Sequence, residues 1–387
     1  MPLLATRQAA RPRPLGENQL LGIEERLLSL GARLLRCTSA DGLRFTTDGT
    51  MLELGGSVSD TVKAPGGWRT YFHVNPDPRT GSLFRIRSAF TADGRTWRVE
   101  EGDRVVAPPN GPASLGVADP APVQLPDGSW LMAVKSFIAP VGSGGGGPPA
   151  GVSNGLDGHQ VMSASSTDGL NWTRDPGVRF LRASVPAVLN DNDERVLMYF
   201  VQPPTEPGKP ETVALAVSTD GVNFAQEPAF QIEGLSTLKA VDPSILKDPD
   251  GRFRLYYLAS NHPGDPAAGP NPHAINTAVS EDGIRYRETG TVFEYDDLVD
   301  PDVFRYKDEW FMYVFAKSNT VIARSPDGQR FTYEAPMAPP GWGTTAPITL
   351  PDGRLRLYAF DQRTPIGNVV RSFTSTDGIN WTAEEGE

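Results

Sequence analysis

One short phrase is written six times along this chain. From Val299 it reads VDPDVFRYKDEW, from Val241 VDPSILKDPDGRFRLYYL, and from Ala118 ADPAPVQLPDGSWLMAV; looser copies start at Ser57, Val185 and Thr345. Each copy opens with Asp-Pro or a variant of it, alternates through a short strand, reverses at a Pro/Asp/Gly turn, and returns as a more apolar strand. A β-hairpin recurring at a blade-sized period predicts a repeat architecture before any single side chain is considered.

A second phrase falls between the hairpins. Ser166 to Trp172, STDGLNW, has relatives whose aspartates are Asp41, Asp93, Asp220, Asp282, Asp327 and Asp377, at spacings of 45 to 75 residues. Such spacing fits a four-stranded propeller blade with insertions. The box has a mechanical reason: the Asp carboxylate folds back onto backbone N–H groups, Gly takes the positive φ of a tight reversal, and the aromatic three residues later wedges into the blade. A calcium or sugar site is the functional alternative for the box. Each unit then reads as innermost strand, turn, second strand, variable loop, third strand, box and outer strand. The expected fold is all-β, a single propeller over residues 37–387, with six blades favoured and five as the alternative. The extra box at Asp41 has no hairpin before it and is expected to supply an outer strand to the last blade. Residues 1–36 form a tail and lead-in, in which Leu20, Leu21, Ile23, Leu27, Leu28 and Leu34 fit one helical face; an extended lead-in is the other option.

Composition narrows the function classes. The 40 Gly and 36 Pro in 387 residues suit many short strands and turns. A net charge of −11 without a basic stripe argues against nucleic acid as a partner. The single cysteine, Cys37, excludes an internal disulfide and reads as a small buried hydrophobe. No apolar run is long enough for a secretory signal or a membrane span, so a cytoplasmic protein with no membrane partner is expected.

The direction of the strands sorts the loops. Innermost strands start on one face of the disc, where the second-to-third loops also fall, while the repetitive boxes fall on the other. Function is therefore sought at the strand starts. Asp119, Asp242 and Asp300 share that place in three units; Val185-Pro186 and Ala346-Pro347 stand there without an acid, and Asp60 is a weaker fourth candidate. Carboxylates crowded around one funnel repel each other and lose hydration, which separates their pKa values as acid/base chemistry requires; Asp before Pro as a simple turn cap is the structural alternative. All four histidines, His73, His159, His262 and His273, map to the same face, as substrate contacts or as ligands of a divalent metal ion in the central channel. Arg85, Arg87 and Arg371 are candidates to clamp a hydroxylated or anionic ligand, with inter-blade ion pairs as the structural option. Trp342 offers a ring for stacking on a sugar face. The glycine-rich loop Ala139–Gly158 is a candidate lid.

With its Asp-Pro strand starts and Ser-x-Asp-Gly-x-x-Trp boxes over residues 37–387, the chain resembles the propeller glycosidases of the arabinanase and β-xylosidase type, glycoside hydrolase family 43, and their invertase-like relatives. That resemblance implies a funnel holding a general base, a pKa-tuning Asp and a general-acid Glu, acting on furanosides or pyranosides. Those families have five blades, whereas six units are counted here, and no innermost strand starts with Glu. The expectation is a hydrolase of a small glycoside or oligosaccharide. Asp119 would be the base, Asp242 and Asp300 modulator and partner, with the acid left open among Asp300, Glu233 and Glu294. The rivals are a propeller that binds a sugar or a protein without chemistry, and a metal-assisted enzyme using top-face His and Asp.

Overall fold

The computed structural model describes residues 35–38, 46–50, 56–74, 83–94, 97–107, 114–138, 158–191, 195–202, 211–261, 272–316, 319–336, 342–361, 369–380 and 382–383. The segment expected to be a helical or extended lead-in, residues 20–34, lies outside them. The described residues form an all-β propeller with no α-helix. Four-stranded units follow one another along the chain. Their innermost strands are Gly56–Ala64, Ser114–Gln124, Ser184–Asp191, Lys239–Lys247, Leu298–Tyr306 and Trp342–Thr349, which makes six blades among the described residues. The third and fourth blades are joined into one sheet by a single parallel pair, Thr212 with Ala240.

Each second strand is sandwiched between its own neighbours and the next blade, so it reads as an apolar run rather than an alternating one. Phe253–Ser260 is buried at every position. Six hydrophobic clusters form the core, and each one lies between adjacent blades. Tyr71 and Ile86 of the first blade pack with Met132 and Val134 of the second. Phe72 and Val74 pack on Ile348 and Leu350 of the last blade, which closes the ring. The Asp41 box itself, residues 39–45, lies outside the described residues, and the strand that follows it, Thr46–Thr50, is not paired with the last sheet. The last blade draws its outer strand, Thr382–Ala383, from its own sequence, and Leu35–Thr38 pairs with Thr46–Thr50 beside it. Among the described residues, apolar contact closes the ring and no strand is shared between the first and last blades.

The boxes do more than turn the chain. In the second blade the Asp168 carboxylate accepts from the N–H groups of Leu170 (2.8 Å) and Asn171 (2.7 Å), and Ser166 Oγ accepts from Gly169 N at 2.9 Å. These bonds hold the Asp168 carboxyl well below the usual carboxylate range. The glycine carbonyl then serves the neighbouring blade. Tyr71 donates to Gly169 O (2.6 Å), Tyr199 to Gly283 O (2.9 Å), Tyr256 to Gly328 O (2.7 Å) and Tyr313 to Gly378 O (2.8 Å). In each case a second-strand tyrosine locks onto the box of the following blade. The box aromatics pack back the other way: Trp172 meets Tyr71 edge-on at 5.6 Å and Phe331 meets Tyr256 at 5.9 Å.

Tyr256→Phe leaves the Gly328 carbonyl without its buried donor and is expected to lower unfolding free energy by about 1–3 kcal/mol. Gly328→Ala is expected to cost more, because its Cβ would lie 2.7 Å from the Tyr256 hydroxyl at a φ of +71°. Denaturant titration of both variants checks the order.

Candidate active site

Every innermost strand carries an irregularity near its mouth, where one strand gains a residue over its partner. In four blades the extra residue precedes a proline and is left-handed: Asp119 (φ 50°), Val185 (φ 48°), Asp242 (φ 53°) and Asp300 (φ 51°). Residues before proline ordinarily stay extended, and a left-handed L-residue costs roughly 1–2 kcal/mol. Four strained kinks around one funnel are the kind of outlier that points to function. The kink absorbs a residue and turns the Asp off the ladder. Ala346-Pro347 does not match these sites, since the bulge of the last blade falls between Gly343 and Thr345. Asp60 does not match them either: its bulge lies between Ser57 and Ser59, and Asp60 pairs with Tyr71 deeper in the channel.

The kinks bring Asp119, Asp242 and Asp300 within electrostatic reach of one another across the ring. Burial pushes the Asp242 carboxyl up, and the charge of Asp300 pushes it further, against a backbone N–H of Asp300 that favours the ionised form. Asp300 is also raised, first by burial and then by Asp119. Its side chain meets solvent although protein surrounds it, as befits the floor of a funnel. Asp119 goes the other way. Burial raises it, but the Lys135 ammonium, in direct contact with its carboxylate, outweighs this and holds it below the usual range. One carboxyl is thus kept ionised and another protonated by their surroundings.

Two histidines flank Asp119. His73 Nδ1 lies 3.8 Å from Asp119 Oδ1. Burial, with Lys135 adding to it, lowers both His73 and His159 to about 4, so both rings are neutral at neutral pH. Their Nδ1 atoms are buried without a hydrogen-bond partner in the protein. Phe84 and Phe137 hold the rings edge-on, at 5.6 Å from His73 and 5.3 Å from His159. Unpartnered nitrogens beside a carboxylate suit ligand hydroxyl groups. They suit a divalent ion poorly: a lysine ammonium already occupies the Asp119 carboxylate, and among the described residues no group of three His, Cys, Asp or Glu is arranged around an ion.

Other candidates stand elsewhere. His273 is buried at the seam to the fifth blade, its Nδ1 3.2 Å from Leu298 O. Arg85 and Arg87 pair with Asp103 at 3.2 and 3.8 Å. Glu233, on an added outer strand, is exposed and paired with Arg287, and Glu294 is exposed on the outer strand of the fourth blade. Neither reaches the funnel, because both belong to the rim of the disc. Trp342 opens the innermost strand of the last blade, and Arg371 lies on its third strand. His262 and nearly all of the glycine-rich loop, 139–157, lie outside the described residues. Two charged groups beside the carboxylates escaped the sequence reading. Lys135 was visible as a lone charge in an apolar strand, WLMAVKSFI. Glu211 stands where the second-to-third loop of the third blade meets its strand, and its charge acts on Asp242.

No family model matches the chain, and no curated protein matches it. Solved structures do resemble it. The alpha-L-arabinofuranosidase of glycoside hydrolase family 93 from Fusarium graminearum, solved with arabinobiose, superposes with a TM-score of 0.61 at 13% identity, over 89% of this chain and 97% of that one. An alpha-L-arabinanase of Penicillium chrysogenum, also with arabinobiose, gives 0.61 at 14% identity over the same shares. A thermostable family-43 glycoside hydrolase gives 0.48 at 15% identity, over 72% and 96%. The chain therefore has the propeller fold seen in such glycosidases; at these identities the likeness concerns the fold alone.

Asp60 offers a test of burial in the channel. Burial raises its carboxyl to about 7 against a bond from Thr61 N–H. Between about 3.8 and 7 the folded protein holds a proton that the unfolded chain has released, so stability falls as pH rises through that window. Asp60→Asn removes this penalty. Its stability gain is expected to be absent near pH 4, to grow to about 1–3 kcal/mol above neutrality, and to show in melting temperatures measured across pH.

Proposed function

We propose that this protein is a glycoside hydrolase acting on a small glycoside or oligosaccharide in the funnel of its propeller. The observation that carries the proposal is the split within one carboxylate cluster. Asp119 is held ionised by Lys135, while Asp242 is held protonated by burial and by the charge of Asp300. Glycoside cleavage needs a proton for the leaving oxygen and a second carboxylate on the other side of the scissile bond. Asp242, held protonated beside the Asp300 carboxyl, supplies the first. Asp119 supplies the second, as the base that activates water. His73, His159 and Lys135 line the Asp119 side, where neutral imidazoles and one ammonium suit the hydroxyl groups of an uncharged sugar. Fold likeness to proteins solved with arabinobiose makes pentose-containing substrates the place to start.

The test is release of reducing sugar or aryl alcohol from a panel of pentosides and hexosides. Asp119→Asn and Asp242→Asn are each expected to lower kcat by about 10²- to 10⁴-fold. Wild-type rates in both would sink the proposal. A bell-shaped pH profile is expected: the rate falls on the acid side as Asp119 gains a proton, and on the alkaline side as Asp242 loses one. Binding of the same sugars without product would favour a purely binding propeller.

A further inference from the structure

Glu211 is built into the cluster from outside the kinks. It precedes the third strand of the third blade, and the next residue, Thr212, pairs in parallel with Ala240 on the innermost strand of the fourth. That bridge sets Glu211 beside Lys239, three residues before the Asp242 kink on the same strand as Ala240. Lys239 Nζ meets Glu211 Oε1 at 3.0 Å, and the lysine side chain is 3% exposed. A buried ammonium needs a counter-charge, so the pair locks the Glu211 carboxylate in place. The groups facing Asp242 are then Asp300, Glu211 and Lys135, with Asp119 acting on it through Asp300.

We propose that Glu211 is a positioning residue of the carboxylate cluster, tethered by Lys239 and by the Thr212–Ala240 bridge so that its negative charge faces Asp242. Its role is to keep the proton on Asp242 as pH rises, without touching the substrate. Lys239 is the counterweight: it fixes where the charge sits and screens part of it. The catalytic consequence, an alkaline limit of activity set by Glu211, rests on the glycosidase proposal; the electrostatic role does not.

The experiment therefore has two readouts on the full chain. Difference infrared spectroscopy, with Asp242→Asn as the blank, follows the protonated carboxyl of Asp242 across pH. The rate of aryl pentoside hydrolysis is followed across the same range. Glu211→Gln keeps the shape and removes the charge; it is expected to lower the Asp242 midpoint and to shift the alkaline limb of activity down with it. Lys239→Met, which keeps the buried volume, is expected to move the midpoint the opposite way. An unmoved midpoint in Glu211→Gln overturns the proposal. So does loss of turnover at every pH with the midpoint unmoved, since Glu211 would then act on the substrate itself. If the wild type cleaves no glycoside while the midpoint shifts, the glycosidase proposal falls and the positioning role stands.

Discussion

A phenolic hydroxyl reaching across a seam to the carbonyl of a turn glycine is the interaction on which the rest of this molecule depends. Stacked sheets can slide, because apolar contact alone is not directional. Tyr71, Tyr199, Tyr256 and Tyr313 remove that freedom at four seams by tying a second strand to the following box. Each bond is buried, so a shift of a blade would strand both a donor and an acceptor. With neighbouring blades fixed in rotation, the mouths of their innermost strands converge at fixed positions. The funnel needs this more than the core does: a hydrophobic cluster tolerates small movements, whereas a set of charges at close range does not.

The funnel is expensive to maintain. Left-handed kinks before proline, carboxyls withdrawn from water and histidines with unpartnered nitrogens all oppose folding. The inter-blade clusters and the box bonds offset that cost at a distance. Strain and desolvation gather at one end of the innermost strands, while the other end carries relaxed turns such as Leu125 to Ser129, which closes with a 2.8 Å backbone bond. This division explains why the repetitive half of the sequence is structural while strain and buried charge gather in the irregular half.

Much of this was readable from the chain. Asp-Gly and Asp-Pro phrases act locally, so they favoured six blades over five and put Asp119, Asp242 and Asp300 at strand mouths without any knowledge of the ring. The misplaced residues failed for a physical reason. A bulge absorbs one residue, so Asp60 and Ala346, aligned by eye with the kinks, stand beyond the bulge and on the regular ladder. Glu233 and Glu294 looked close because they precede Asp-Pro strands in sequence, but the chain spends that stretch on the rim. Lys135 and Glu211 were missed because their partners come from non-local contacts: a lysine against the kink of the adjoining strand, and a glutamate carried to its place by a bridge between blades. The tyrosine bonds across the seams were not legible, since nothing local reveals which carbonyl a hydroxyl will find.

The closure between the first and last blades bears on how the molecule is assembled. Many rings could be fastened by lending a strand from one end of the chain to the other, which would leave the final sheet incomplete until synthesis finished. Here each blade draws its own four strands from contiguous sequence, and the last seam is made by Phe72 and Val74 meeting Ile348 and Leu350. Each sheet can therefore mature as it leaves the ribosome, in N-to-C order, and circularisation becomes the docking of two finished surfaces. Among the described residues no hydrogen-bonded ladder joins those two sheets, so the joint reopens by parting oily faces.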